Sequence, residues 1–408
     1  MMSKTNIKKP ELLAPAGDLE RLKIAFLYGA DAVYLGGQSY GLRSAAKNFT
    51  SFELEMGLLY AHERGKKVYV TINSFFHDED FEHFDDYILF LHQIKVDAVI
   101  VSDLGVLVKI HEICPEMEIH LSTQASCLNH QSALFWKKMN VTRIVLGREL
   151  GLAEGLSIAE KSGVELEMFC HGSMCMAYSG HCTISNYTAG RDSNRGGCAH
   201  SCRFEYTLND GQEEKKSFFM NSKDMLGAAY VEDFFKYGIA SMKIEGRMKG
   251  PLYVASVTKA YRELIDEYAE KGEIKADFLE ERIHLLTGFV HRDYFDGNLS
   301  QRAKSDSVYE KNSSSEQESN PVLGLVAEGN NENDKRFLLE VKGKFSVGDD
   351  IYLVNSKGRD ISSSIEKIED CYGNTIEITK PSTLVYISLS EKKTNLVMPL
   401  MVARRGAS

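Results

Sequence analysis

What this 408-residue chain lacks removes several kinds of function. It has no apolar run of about 18 residues or more, so no membrane-spanning helix is expected. Its first residues, MMSKTNIKKPELLAP, carry lysines but no apolar segment. No signal peptide is therefore read, and a cytoplasmic protein is expected. No G-x-G-x-x-G follows the first strand-like run, which leaves out the dinucleotide-binding fingerprint. H-E-x-x-H is missing as well, since His62-Glu63 and His111-Glu112 lack the second histidine. Nor is there a basic excess: 48 Lys and Arg stand against 58 Asp and Glu, a net charge of −10. That argues against coating nucleic acid with the whole surface, while a local basic face stays open.

What is present is concentrated in one window. Of eight cysteines, four fall within residues 175–202: Cys175, Cys182, Cys198 and Cys202, spaced C-x6-C-x15-C-x3-C. They sit among glycines, serines and polar residues, with no apolar periodicity that would bury thiols in a core. In a chain without export signals, clustered cysteines more often bind metal than pair. Structural zinc sites usually contain a tight C-x2-4-C knuckle, and only Cys198 and Cys202 provide one. The wider gaps suit the spread corners of a 4Fe–4S cluster, and spacing alone leaves iron–sulfur and zinc both open. Cys114, Cys127 and Cys371 are isolated and read as buried small hydrophobes, and Cys170 as a packing residue.

The rest of the chain alternates. Strand-like runs occur at 11–15, 32–36, 67–72, 97–103, 118–123, 143–147, 166–172 and 241–246. Helical patterns fall between them at 18–28, 51–64, 81–95, 104–113, 130–138, 149–162 and 224–237, with a long helix at 251–271. Eight β/α units with nearly continuous apolar strands predict an α/β fold, a (β/α)8 TIM-type barrel over 10–302; a doubly wound open sheet is the alternative. The cysteine-rich loop, 173–216, follows the seventh strand and would emerge at the barrel's C-terminal face, where active sites sit. Residues 303–320 are polar and serine-rich and read as a linker. Beyond them VLGLVAEG, FLLEVKG, DDIYLVN, TIEITK and LVYISL predict a small all-β barrel module over 321–408.

The segment from Glu167 to Ser185, EMFCHGSMCMAYSGHCTIS, matches the pattern E-x-F-x2-G-[SA]-[LIVM]-C-x4-G-x-C-x-[LIVM]-S. PELLAPAGDLERLKIAFLYGADAVYLGG at 10–37 and SMKIEGRMKG at 241–250 carry the same likeness. On these motifs the chain resembles the collagenase-like peptidase family (U series, family thirty-two). Its length, the Cys198/Cys202 pair and the appended β module are similar to members implicated in prephenate-dependent formation of 5-hydroxyuridine at the tRNA wobble position. Relatives with the same cysteine pattern hydroxylate rRNA or a quinone precursor and hold a 4Fe–4S cluster. The resemblance therefore implies cluster ligation by Cys175, Cys182, Cys198 and Cys202, a tRNA anticodon loop as partner, and prephenate or a similar small dicarboxylate as co-substrate or effector. His181 departs from the family pattern, which has Arg there. A peptidase and a zinc-stabilised RNA-binding protein without catalysis are the competing readings.

Candidate reacting residues lie at strand ends. Lys243, Glu245 and Arg247 alternate, share a face, and would clamp a dicarboxylate or phosphate; a salt-bridged barrel rim is the plainer alternative. His171 is expected as a general acid or as a packed imidazole. Arg43, Asn73, Gln124 and Arg148 are expected to bind substrate. Lys249, Lys259 and Arg262 are expected to contact RNA.

Overall fold

The computed structural model of the chain describes residues 8–42, 47–288, 291–302, 307–309, 322–330, 336–390 and 397–405, and all counts below are of those residues. Eight strands form the first barrel: β1 (Glu11–Pro15), β2 (Ala32–Leu35), β3 (Lys67–Ile72), β4 (Ala98–Val101), β5 (Ile119–Leu121), β6 (Val141–Val145), β7 (Glu165–Ser173) and β8 (Ser241–Ile244). They pair in parallel in sequence order, and β8 joins β1 to close the ring. Helices follow the strands one for one: α1 (Leu19–Leu27), α2 (Ser51–His62), α3 (Phe84–Gln93), α4 (Leu104–Ile113), α5 (His130–Lys138), α6 (Leu152–Ser162), α7 (Val231–Lys236) and α8 (Pro251–Lys271). Their starts are chemically marked. Asp18 accepts the Arg21 amide at 3.0 Å, Asp103 accepts that of Val106 at 3.0 Å, and Thr50 with Glu53 makes a capping box. The fold is therefore the (β/α)8 barrel of the sequence reading. No described helix is long and apolar enough to cross a membrane.

The lumen is unusual in its polarity. One side is apolar, with Leu13, Ala32, Tyr34, Tyr69, Ala98 and Ile100 in one cluster. Charge fills the other side. Glu167 is fully buried and its Oε1 accepts from Lys243 Nζ at 2.7 Å; Arg143 reaches Glu11 at 2.6 Å and Glu167 at 3.6 Å. Both cations hold the Glu167 carboxyl below its ordinary range against the opposing effect of burial.

The helix expected over 224–237 is shorter. Residues Asp224–Leu226 instead pair antiparallel with the end of β7, because Asp224 is buried and ion-paired with Arg292. Helix Ala276–Leu286, helix Ile184–Ala189 and a hairpin, Tyr206–Asn209 with Glu214–Ser217, were not read from the sequence.

The second barrel is closed and antiparallel: β9 (Val322–Glu328), β10 (Phe337–Val341), β11 (Asp350–Val354), β12 (Ile361–Asp370), β13 (Leu384–Leu389) and β14 (Val402–Arg405), in spatial order 9-10-13-12-11-14. TIEITK at 375–380 is not one of these strands. Thr375 and Ile378 make only isolated bridges, and ISSSIEKIED takes the place in the sheet. Serines conceal its alternation, and a bulge between Ile365 and Lys367 re-phases it. Most of the expected linker lies outside the described residues. Its residue Tyr309 is buried and donates its amide to Asn221 O at 2.7 Å, so that part is docked on the first barrel.

The two barrels touch through α1 and α8. Tyr28 donates to Val354 O at 2.6 Å, and buried Lys259 donates to Gly358 O at 2.9 Å and to Asp360 at 2.8 Å. Arg262 pairs with Asp31 at 3.0 Å. The expected RNA contacts at Lys259 and Arg262 are thus corrected: both cations are consumed by packing.

Candidate active site

A cavity of about 240 Å³ opens where the barrel strands end. Its floor comes from strand ends and the β8 exit, through Thr71, Asn73, Ser122, Phe169, Lys243, Glu245 and Arg247. Its roof is the loop after β7. All four cysteines of that loop line it, together with Arg203 and His200.

The loop is fixed to the barrel by local chemistry. Arg195 donates to Phe75 O at 2.8 Å and forms a close ion pair with Asp80. Asn194 Nδ2 donates to Cys182 O at 3.0 Å, and the Phe75 amide donates to Asn194 O at 2.9 Å. His181 stands edge-on to Phe75, and its Nε2 lies 2.6 Å from Gln124 O. A hydroxyl knot joins Thr188 to Ser201 at 2.7 Å and Ser201 to Ser185 at 3.3 Å. Gly172, at φ +105°, lets β7 turn into this loop; a Cβ there would meet Glu245 O at 2.5 Å.

None of the four thiols is in a disulfide among the described residues. Burial pushes the Cys202 thiol up; Arg203 opposes this, and the charges of Cys175, Cys198 and Cys182 add to it. Each sulfur thus lies within electrostatic reach of Cys202. Burial lowers the pKa of Arg203, with Arg292 adding to the effect and Asp224, then Cys202 and Cys198, opposing it. Four soft donors with a guanidinium beside them fit a thiolate-ligated metal centre of net negative charge, a zinc ion or an iron–sulfur cluster alike. No three described His, Cys, Asp or Glu side chains already stand in coordinating geometry, so the fold supplies convergence rather than a closed ligand set.

Five cations line the cavity (Arg148, Arg203, Lys243, Arg247 and Lys249) against one carboxylate, Glu245. Arg247 is buried, donating to Thr71 Oγ1 at 3.1 Å and to Asn48 Oδ1 at 2.6 Å. Gly36 makes its room, since a Cβ there would lie 2.4 Å from Nη2. Arg148 stacks 3.7 Å above the Phe169 ring and reaches Glu245 at 3.7 Å; Tyr34 donates to Glu245 at 3.4 Å. Burial also lowers the pKa of Lys249.

Of the sequence candidates, Lys243, Glu245, Arg247, Asn73, Gln124, Arg148 and the four cysteines meet in this one cavity. Arg43 lies outside the described residues. His171 does not line the cavity. It is buried among Tyr253, Tyr261 and Tyr294, and burial lowers its pKa to about 3. A neutral imidazole sealed behind aromatic rings cannot touch substrate, so the expected general acid is replaced by the packed histidine. Asp103 is a helix cap. Cys114, Cys127 and Cys170 are buried as expected, but Cys371 is exposed on the second barrel. G-x-S-x-G, the letters of a serine-hydrolase elbow, occurs at 37–41. That chemistry needs a strand-to-helix turn, and here Ser39 lies among bends and is not a cavity residue.

Sequence reasoning missed Arg203, Lys249 as a cavity residue, His181 as an anchor and Glu167. The signal for Glu167 was a lone carboxylate inside an apolar strand, which folding tolerates only when paired.

The family model for peptidase family U32 matches residues 17–309, and that for the peptidase family U32 C-terminal domain matches 319–398. The chain is 38% identical to tRNA hydroxylation protein P1 of Bacillus subtilis over 412 residues, covering 98% of this chain and 95% of the relative. It is 39% identical to a 23S rRNA 5-hydroxycytidine synthase of Escherichia coli over 265 residues, 64% of this chain and 40% of the relative. It is 31% identical to a collagenase of Porphyromonas gingivalis over 309 residues, 72% of this chain and 74% of the relative.

Proposed function

The chain belongs to peptidase family U32, and from that premise we propose that it is an RNA-modifying enzyme that hydroxylates the wobble uridine of tRNA to 5-hydroxyuridine. The proposal includes a 4Fe–4S cluster held by Cys175, Cys182, Cys198 and Cys202, and a small dicarboxylate such as prephenate as co-substrate or effector. One observation carries it: the four thiols share a single cavity with Lys243, Arg247 and Arg148. Relatives named for tRNA hydroxylation and for rRNA hydroxycytidine synthesis support the reaction class. A cysteine peptidase would instead need one thiolate activated by an imidazole.

The residues divide the work. A cluster, when bound, supplies redox chemistry at carbon that side chains alone lack. Arg247 and Lys243, fixed from behind by Asn48, Thr71 and Glu167, present preset positive charge to a dicarboxylate. Glu245 is the one carboxylate among the lining side chains, so it is the group placed to hold a proton beside a bound base. The cavity is enclosed by the strand ends and the cysteine loop, so the target base must be unstacked to enter it, which is inexpensive for a base in a single-stranded loop.

The test is anaerobic purification with iron and sulfide analysis, paired with tRNA nucleoside mass spectrometry of a Cys175→Ala strain. The protein should carry iron and sulfide, and the strain should lack 5-hydroxyuridine-derived nucleosides. One zinc without sulfide points instead to a zinc-stabilised RNA-binding protein, and normal modification in the strain removes the catalytic reading.

A further inference from the structure

The five cations that line the cavity differ in how they are held. Three are bonded within the fold: Lys243 to Glu167, Arg247 to Thr71 and Asn48, and Arg148 to Glu245. Arg203 and Lys249 are not. Among the described residues, neither cationic head has a hydrogen bond or an ion pair; Lys249 Nζ stands 5.3 Å from the centroid of the Tyr253 ring. Both are nevertheless fixed where they stand. Lys249 sits on the turn that leaves β8. Its amide donates to Gly246 O at 2.8 Å, and its stem packs on Gly246, where a Cβ would come within 3.2 Å of Lys249 Cγ. Arg203 ends a single helical turn of the cysteine loop, Ser201–Arg203, and its amide donates to His200 O at 2.8 Å. Tyr206 ties that turn to the next strand, donating to Ser201 O at 2.8 Å. The floor thus supplies one cation and the roof the other.

The charges around them do not cancel. Burial lowers the pKa of Lys249; Asp224 opposes this, Arg203 and Arg292 add to it, and Glu245 opposes it least. Arg203, Lys249 and Arg292 therefore share one field, and both carboxylates in it are already engaged. Asp224 is buried and accepts from Arg292 Nε at 3.1 Å, while Glu245 is reached by Arg148 at 3.7 Å and by the Tyr34 hydroxyl at 3.4 Å. Cys202 and Cys198 act on Arg203, but no cysteine is among the principal charges acting on Lys249. A metal centre on the thiols thus does not account for the pair. An ammonium and a guanidinium in one half-buried cavity repel each other, and an oxyanion between them replaces that repulsion with charge-assisted contacts.

We propose that Arg203 and Lys249 form a second anion seat in the cavity, taking a carboxylate or phosphate group, while Arg247 and Lys243 form the first. This rests on the reading of the cavity above and adds that its contents carry two anionic groups, one toward the floor and one toward the roof. The second oxyanion has two sources, the far carboxylate of a dicarboxylate or a phosphate of the target RNA, and the test separates them.

Binding is measured by calorimetry on the anaerobically purified full chain, with prephenate, with phenylpyruvate, which carries one carboxylate, and with an anticodon stem-loop RNA across a salt series. For a carboxylate in the seat, Lys249→Met should weaken prephenate about tenfold and leave phenylpyruvate unchanged, whereas Arg247→Met weakens both. For a phosphate in the seat, Lys249→Met should instead weaken the stem-loop and reduce its salt slope by about one, with prephenate unchanged. Lys249→Arg keeps the charge and should retain most of the affinity in either case. Arg203→Gln should repeat the Lys249→Met pattern with metal content and melting temperature unmoved. Wild-type affinity for both prephenate and stem-loop in Lys249→Met overturns the seat, as do equal losses of prephenate and phenylpyruvate. Loss of metal from Arg203→Gln with ligand binding intact also overturns it, because Arg203 would then serve the cysteine centre alone. Modification is read separately. Pair-dependent binding together with normal nucleosides in the Cys175→Ala strain sinks only the catalytic reading, and the reverse pair of results sinks only the seat.

Discussion

The two ends of the first barrel share one strand alternation and treat charge in opposite ways. Where the strands begin, Lys8, Lys9, Lys67, Lys137 and Arg143 line an opening with Glu11, Asp31, Glu118 and Glu165, five cations to four carboxylates. Where the strands end, the lining carries five cations and one carboxylate, Glu245, with Glu167 pairing Lys243 from beneath. The first opening is the larger, about 910 Å³ against about 240 Å³, so volume does not mark the site. An excess of cations over carboxylates among the lining side chains, beside soft donors, does. A matched set neutralises itself, whereas a surplus of buried cations is maintained only at a cost that a bound anion can offset.

Glu167 lies between the ends and is the first place to break the comparison. It is fully buried, bonded to Lys243 above and close to Arg143 below. Glu167→Ala leaves two buried cations without their shared partner and should lower unfolding free energy by about 3–5 kcal/mol in chemical denaturation. Glu167→Met combined with Lys243→Met should recover much of that stability while losing the anion site. If the double variant still binds a dicarboxylate as the wild type does, the upper surplus is not the binding determinant.

The next test removes charge from the upper end alone. Arg247→Met should weaken binding of a prephenate-like dicarboxylate about 10- to 100-fold by calorimetry, the loss expected for one charge-assisted contact. Tm should fall far less than in Glu167→Ala, because Asn48 and Thr71 are neutral partners. Equal losses of stability in the two variants would mean that the upper cations are structural.

How much of this was legible in sequence follows from what each feature depends on. The eight strands were readable because both faces of a parallel barrel are buried, so each strand is an apolar run; 251–271 emerged at its exact bounds because Gly250-Pro251 and Gly272 punctuate it. The cysteine cluster was readable because its four thiols are close in sequence and rare in type. Arg247 and Lys243 were readable as a face, but not as a surplus, since that depends on which carboxylates fail to arrive from other strands. Arg203 and His181 depend on how the loop folds back, for which no local pattern exists. His171 stayed between two readings because residue type alone does not distinguish a catalytic imidazole from one enclosed by aromatic rings, here Tyr253, Tyr261 and Tyr294 from far along the chain.

That histidine gives a test by pH. Burial keeps it neutral in the folded state, with a pKa near 3, while the unfolded chain protonates it near 6.5. Between those values the unfolded state binds the extra proton, so this stability is complete above pH 6.5 and is lost as pH falls. At pH 5.5 the loss amounts to about 1.4 kcal/mol. His171→Phe should flatten that part of the acid limb in denaturation curves taken from pH 7 to 5. An unchanged limb would mean that the ring is reachable by solvent, and would return it to the candidates for catalysis at the upper end.

The smallest effect is expected at the lower end. Glu165 pairs with Lys8 at 3.0 Å and Arg143 at 3.1 Å, but its side chain is 44% exposed, so solvent screens both contacts. Glu165→Gln should cost under about 1 kcal/mol, a loss that largely vanishes in 1 M salt. Dicarboxylate affinity and stem-loop affinity should stay at wild-type values, because Glu11 still holds Arg143 and the lower charges remain close to balance. A Glu165→Gln protein that loses dicarboxylate binding as Arg247→Met does would show that the two ends are one electrostatic unit coupled through Glu167, and the contrast between them would no longer locate the site.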